Sequence, residues 1–280
     1  MIRTLLLTLA VLLALPAQAD SASAPAASAT AAPAPAGRDF MLTFDDGPVP
    51  GETERVLATL AQLHAPDGSP LKAAFFMVGD APDNFFAGRK YYAPYEIWIH
   101  KGSAHANPEL VAKVRAAGHF VGNHTAHHAW FRWPWLSSED AVIGELQRWE
   151  AETNPPAGQP KLFRPPYLIE THAVKAAARK LGYQIVDGYT VGDASPIGTL
   201  YSVKQNALHY LQTAPDTGRP LVLIFHDIMP ITYEHLGEIV EFLQQHGMRP
   251  VSFDPTLLAD PALDDQPDSA PPQHYLSNPG

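Results

Sequence analysis

Short runs of apolar residues alternate along this chain with stretches in which apolar positions recur every three or four residues. The short, mainly apolar runs at 40–44, 73–78, 119–122, 161–163, 183–186, 221–225 and 248–253 read as buried strands. Between them several helix ends are legible. Asn107 followed by Pro108 opens a helix that Gly118 closes, and Gly182 and Gly247 stop two more over 171–181 and 233–246. A fourth helix, over 138–152, carries Val142, Ile143, Leu146 and Trp149 on one face. Strand alternating with helix predicts a parallel α/β sheet. Closure into a barrel is favoured over an open doubly wound sheet, because no glycine-rich dinucleotide turn follows the first strand.

The alternation fails at both ends. Arg3, the apolar stretch 5–15 and Ala17-Gln18-Ala19 form the pattern of a secretory signal peptide over 1–19, cut ahead of Asp20. That apolar stretch falls short of the ~20 residues that span a bilayer, so no stable membrane insertion is expected. Residues 20–36 are an Ala/Pro/Ser-rich tether, expected to be disordered, and 255–280 a Pro/Asp-rich tail, expected to be disordered or loosely docked, with Leu257 and Leu258 among the few residues that could pack. The single folded domain is 37–254, a size that suits one β/α barrel. The product is expected to be exported, periplasmic or secreted.

Charge and cysteine content then narrow the chemistry. With 29 acidic against 19 basic residues the net charge is −10, which disfavours nucleic acid as a partner. The absence of cysteine excludes disulfides, thiolate nucleophiles and cysteine-ligated zinc, so any metal must be held by histidine and carboxylate. Polar residues that suit such chemistry cluster directly after predicted strands, where barrels build their active sites: Asp45 and Asp46, then Asn123, His124, His127 and His128, then Arg164 and Tyr167, then His226 and Asp227. Two histidines and a carboxylate leave coordination positions open on a divalent ion. His124 and His128 fit that role, with His127 competing for the second place and either Asp45 or Asp46 as third ligand. The other aspartate is placed to take a proton from water, Arg164 to orient it through a bidentate pair, and His226 to protonate a leaving amine. Together these specify hydrolysis of an acyl or amide bond.

Thr43-Phe44-Asp45-Asp46-Gly47-Pro48, His124-Thr125-Ala126-His127-His128, Arg164-Pro165-Pro166-Tyr167 and Leu223-Ile224-Phe225-His226-Asp227 resemble four motifs of the polysaccharide deacetylase family, also called NodB-homology or carbohydrate esterase family 4. The resemblance implies a distorted (β/α)7 barrel that removes N-acetyl or O-acetyl groups from a polysaccharide such as peptidoglycan or chito-oligosaccharide. It further implies Asp46, His124 and His128 as metal ligands, Asp45 as base, Arg164 as its tuner and His226 as acid. The backbone N–H of Tyr167 would stabilise the oxyanion, and Leu223 would line the acetyl pocket. Zinc is the expected ion, with cobalt, nickel or manganese acceptable to the same donors. The family's fourth motif, an Asp-Trp pair, is altered here: no tryptophan occurs over 187–196, and Asp193 is the candidate to orient His226, with Asp187, equally readable as a strand-end turn residue, as the alternative. That alteration keeps open a second reading, a glycan-binding protein of the same fold with weakened catalysis. Trp130 and Trp133 are candidates to stack on sugar rings, and the long connection over 80–106, with Phe85, Phe86, Tyr91, Tyr92, Tyr95 and Trp98, is expected over the mouth. The sequence points to no protein partner.

Overall fold

A computed structural model describes residues 37–79 and 102–258. The expected signal peptide and tether, most of the aromatic connection and all but the start of the tail lie outside the described residues. Seven strands, β1 (Asp39–Asp45), β2 (Ala74–Met77), β3 (Phe120–Asn123), β4 (Leu162–Phe163), β5 (Gln184–Ile185), β6 (Tyr189–Thr190) and β7 (Leu221–His226), run in the order β5-β4-β3-β2-β1-β7-β6. Every pairing is parallel. Helices α1 (Glu52–Leu60), α2 (Pro108–Ala116), α3 (Glu139–Thr153), α4 (His172–Leu181), α5 (Leu200–Thr213) and α6 (Pro230–Gln245) fill the connections. The result is the expected distorted (β/α)7 barrel. Its seam lies between β5 and β6, where no ladder joins the described residues although only 186–188 separate the two strands.

The apolar runs follow from burial on both sides. In β1, Phe40, Leu42 and Phe44 pack outward in one cluster with Val56, Leu60, Leu236 and Val240 of α1 and α6. Met41 packs on the other face with Ala74, Phe76, Leu162 and Val186, in a cluster to which no helix contributes. Three expectations need correction. Residues 248–253 supply only the two-residue β8 (Arg249–Pro250), paired beside Asp39 and Phe40: Arg249 and Val251 N–H donate to the Arg38 and Phe40 carbonyls, and by Phe253 the chain has left β1 and donates to the Lys72 carbonyl instead. The missing seventh strand is β6, a pair of residues too short and too close to Gly188 and Gly192 to read as a strand. The tail starts late: Pro255–Leu257 form a 3-10 turn and Leu258 is buried in the inner cluster. Among the described residues no helix is long and apolar enough to cross a membrane.

Candidate active site

Loops after β1, β3, β4, β6 and β7 bring the chemistry together at one end of the barrel. Among the described residues, five of the six non-glycine residues with positive φ lie in these loops: Asp46 (76°), Thr125 (66°), His128 (50°), Tyr167 (60°) and Leu168 (52°). Such conformations cost on the order of 1–3 kcal/mol each and persist only where surrounding contacts impose them. The contacts are visible here. Asp46 N–H donates to the Phe76 carbonyl at 3.2 Å, His124 N–H to the Met77 carbonyl at 3.1 Å, and Ala129 N–H to Thr125 Oγ1 at 3.0 Å. The last bond closes the turn that carries His128 back toward His124.

Asp46, His124 and His128 meet with their ligand atoms within 4.8 Å of one another. Asp46 Oδ1 lies 3.2 Å from Nε2 of His124 and 3.2 Å from Nε2 of His128. The Arg164 carbonyl, an obligate acceptor, is 2.8 Å from His124 Nδ1, so that nitrogen carries a proton and Nε2 is the one turned toward the carboxylate. An unprotonated Nε2 there sets its lone pair against those of the carboxylate across a buried gap, an arrangement that a cation relieves. Asp46 Oδ1 is itself buried without a hydrogen-bond donor. Burial alone would raise the Asp46 pKa, but the positive charge of His128, with His226 behind it, holds it well below the usual carboxylate value. The donor set fits a divalent ion such as zinc, and no other group of this kind occurs among the described residues.

On one side of this cluster stands Asp45, paired with Arg164. Both are buried. The expected bidentate pair is not formed: a single nitrogen, Nη1, donates to Asp45 Oδ1 at 2.7 Å and to Thr43 Oγ1 at 2.8 Å, while Nε donates to the Val186 carbonyl at 3.0 Å. Nη2 has no partner, and the guanidinium lies 4.2 Å above the Phe76 ring. Arg164 is thus immobilised across the barrel interior, from β1 to the end of β5.

His226 faces the cluster from the other side, its Nε2 3.9 Å from Asp46 Oδ2. Asp193 settles beneath it. Oδ1 of Asp193 is 2.9 Å from His226 Nδ1, and Oδ2 accepts from His226 N–H at 2.7 Å and Thr232 Oγ1 at 2.6 Å. Burial would lower the His226 pKa; the Asp193 carboxylate, with Asp46 and Asp45 behind it, outweighs this and pushes it up to about 10. Asp187, the alternative, is exposed and accepts from Gly188 N–H at 2.7 Å, a turn role. Asp227 is fully buried against Gly47, where a Cβ would come within 2.4 Å of its Oδ2. Burial raises its pKa to about 7, only partly opposed by a 2.5 Å hydrogen bond from Thr53.

Two side chains lie where the sequence reading did not put them. Leu223 packs outward with Leu42 and the helix residues, on the face of β7 opposite His226. Strand period two puts Ile224 on the His226 side, where it pairs with Thr43, so Ile224 and not Leu223 is the apolar residue beside the site. His127 does not compete for the ligand position. Its N–H and Nδ1 meet Oε2 and Oε1 of Glu145 at 3.0 and 2.8 Å, inside α3. Glu145 was not foreseen, although its spacing from Val142 and Trp149 sets it on the apolar face of that helix. We expect Glu145→Gln to weaken zinc binding by about 10–100-fold, since the amide presents a donor to a donor in the turn between His124 and His128. Titration against a chromophoric chelator measures it, and unchanged affinity would mean the turn needs no support from α3. Tyr167 lies at the mouth, its ring 4.7 Å from that of His128. Trp130 and Trp133 follow it outward.

A family model described as polysaccharide deacetylase matches residues 33–186. A peptidoglycan-N-acetylglucosamine deacetylase of Bacillus cereus is 32% identical over 145 residues, 52% of this chain and 54% of that protein. A chitin deacetylase of Colletotrichum lindemuthianum is 31% identical over 146 residues, 52% of this chain and 48% of that one. The chain therefore spans about half the length of the curated relatives it matches. Among solved structures, the chitin deacetylase from Colletotrichum lindemuthianum superposes with a TM-score of 0.57 at 25% identity, over 77% of this chain and 86% of that one.

Proposed function

The chain belongs to the polysaccharide deacetylase family, and from that premise we propose that it hydrolyses N-acetyl or O-acetyl groups of a polysaccharide such as peptidoglycan or chito-oligosaccharide, using a divalent ion. The observation that carries this reading is the placement of Asp46, His124 and His128 between a buried Asp45–Arg164 pair and a His226–Asp193 pair. Relatives named for peptidoglycan and chitin deacetylation support the substrate class.

A bound ion, zinc in this proposal, would polarise the acetyl carbonyl and make water a better acid. Asp45 takes a proton from the attacking water, which adds to the carbonyl carbon. Arg164 keeps Asp45 aimed through its 2.7 Å bond to Oδ1, because its own side chain is fixed by Val186, Thr43 and Phe76. His226 holds the proton that the departing nitrogen needs, and the C–N bond breaks as that proton is delivered, leaving acetate and a free amine. Asp193 fixes the His226 tautomer so that Nε2 is the nitrogen facing the substrate. The Tyr167 backbone N–H is assigned to the developing oxyanion and Ile224 to the acetyl methyl group.

The altered fourth motif suggested weakened catalysis; the hydrogen bonds between Asp193 and His226 weigh against that reading. Acetate release from N-acetylglucosamine oligomers, peptidoglycan, acetylated exopolysaccharide and acetylxylan, by protein stripped of metal and then supplied with zinc, tests the proposal. A zinc-loaded protein that binds glycan but frees acetate from none of the four would overturn it. The leader pattern over 1–19 supports export; Edman sequencing of the exported protein is expected to begin at Asp20.

A further inference from the structure

We propose that Trp130, Trp133 and Trp135 form a stacking track that leads a glycan chain away from the metal cluster, selecting oligomers and polymers over a single acetylated sugar. The proposal rests on the deacetylase reading above and deepens it. The rings form an unbroken series. His128, a member of the cluster, lies 4.7 Å from Tyr167, Tyr167 lies 5.0 Å from Trp130, Trp130 lies 6.3 Å from Trp133, and Trp133 lies 4.9 Å from Trp135. The last two are stacked within 17° of parallel.

Such indoles are expensive to leave in water. Trp130, Trp133 and Trp135 are 37%, 41% and 48% exposed, in a chain whose other described tryptophan, Trp149, is 2% exposed. Holding the loop in place does not account for them. That task falls to Phe131 and Leu136, which point inward and pack with Val142 and Leu146 of α3, while hydrogen bonds from Trp133 N–H to the Trp130 carbonyl and from Leu136 N–H to the Trp133 carbonyl shape the turn. Thus the segment divides its side chains, anchors inward and tryptophans outward. The outward set starts at the metal cluster. A sugar ring of the β-linked type offers a face of C–H groups, and an indole offers a face of negative quadrupole, so the two stack without any charge on either partner. Neutral acetylated glycans also suit the net charge of −10.

The test is chain-length dependence. Zinc-loaded wild type, Trp135→Ala, Trp133→Ala and Trp135→Phe are compared on the shortest N-acetylglucosamine oligomer that is turned over and on the β-1,4-linked pentamer. We expect the alanine variants to lose roughly two- to tenfold in kcat/KM on the pentamer, through KM, with the short substrate unchanged and the Phe variant close to wild type. Equal losses on both substrates, or no loss on either, would overturn the track. Binding is read separately by intrinsic fluorescence, titrating N-acetylglucosamine and its pentamer. If wild type frees no acetate, the deacetylase reading fails, and these titrations still decide the track. Tighter binding of the pentamer that disappears in Trp135→Ala supports it, and equal binding of both sugars overturns it.

Discussion

Asp45→Asn is expected to slow turnover by about 10²–10⁴-fold, the range that a positioned general base contributes, while zinc affinity stays near wild type. The substitution preserves shape and removes the ability to take a proton. It also has a structural consequence, because Arg164 is fully buried and would lose the only carboxylate bonded to it among the described residues. Breaking a buried ion pair from one side costs about 3–5 kcal/mol, less where, as with asparagine, an acceptor oxygen remains. Melting temperature should therefore fall together with rate, and the two must be separated. The double variant Asp45→Asn, Arg164→Met does so: with neither charge present, stability should recover toward wild type and activity should not. Calorimetry, zinc titration and acetate release on the three proteins check this. Asn variants that turn over within a few-fold of wild type would remove Asp45 from the base role.

Much of this site can be read in the sequence because strand ends carry it. The runs at 40–44 and 221–225 are apolar apart from Thr43 since helices cover one face and the barrel interior the other, and the polar residues that follow them mark the mouth. What could not be read depended on geometry beyond the strand. Asp187 stands as an alternative to Asp193 because it directly follows the run at 183–186, whereas the strand ahead of Asp193, β6, is only two residues long. His127 and His128 differ by one position, and only the left-handed turn at Thr125 and His128 decides which ring faces Asp46. Leu223 was misplaced for a simpler reason: counted back from His226 in twos, the strand leads to Ile224. Helices α1 and α5 were passed over because their buried faces are short. In α1 this is Thr53, Val56, Leu57 and Leu60, in which threonine interrupts the apolar signal to reach Asp227.

Asp193→Asn tests the part of the site that departs most from the family pattern, and a loss of about 10³–10⁴-fold is expected by analogy with triads whose orienting carboxylate becomes an amide. The carboxylate accepts four hydrogen bonds: Ala194 N–H at 3.0 Å and His226 Nδ1 at 2.9 Å on Oδ1, His226 N–H at 2.7 Å and Thr232 Oγ1 at 2.6 Å on Oδ2. An asparagine has one acceptor oxygen, so in either orientation its NH₂ group confronts a backbone N–H. If it confronts Ala194 it also meets His226 Nδ1, which must then become the acceptor and shift the ring proton to Nε2. The charge effect is independent of orientation. In the wild type, Asp193 favours protonated His226, whose pKa is pushed up to about 10; the stabilisation is complete below the unfolded value near 6.5 and is lost as pH rises through about 10. Removing that carboxylate lowers the His226 pKa, so the alkaline fall of kcat should move to lower pH in the variant. A bound cation lowers the starting value in both proteins and leaves the direction of the difference unchanged. Acetate release across pH, with zinc affinity as the control, measures the shift. A variant with an unmoved profile would return the orienting role to Asp187, whose carboxylate is bonded to Gly188 N–H and would have to swing away from it to reach the histidine.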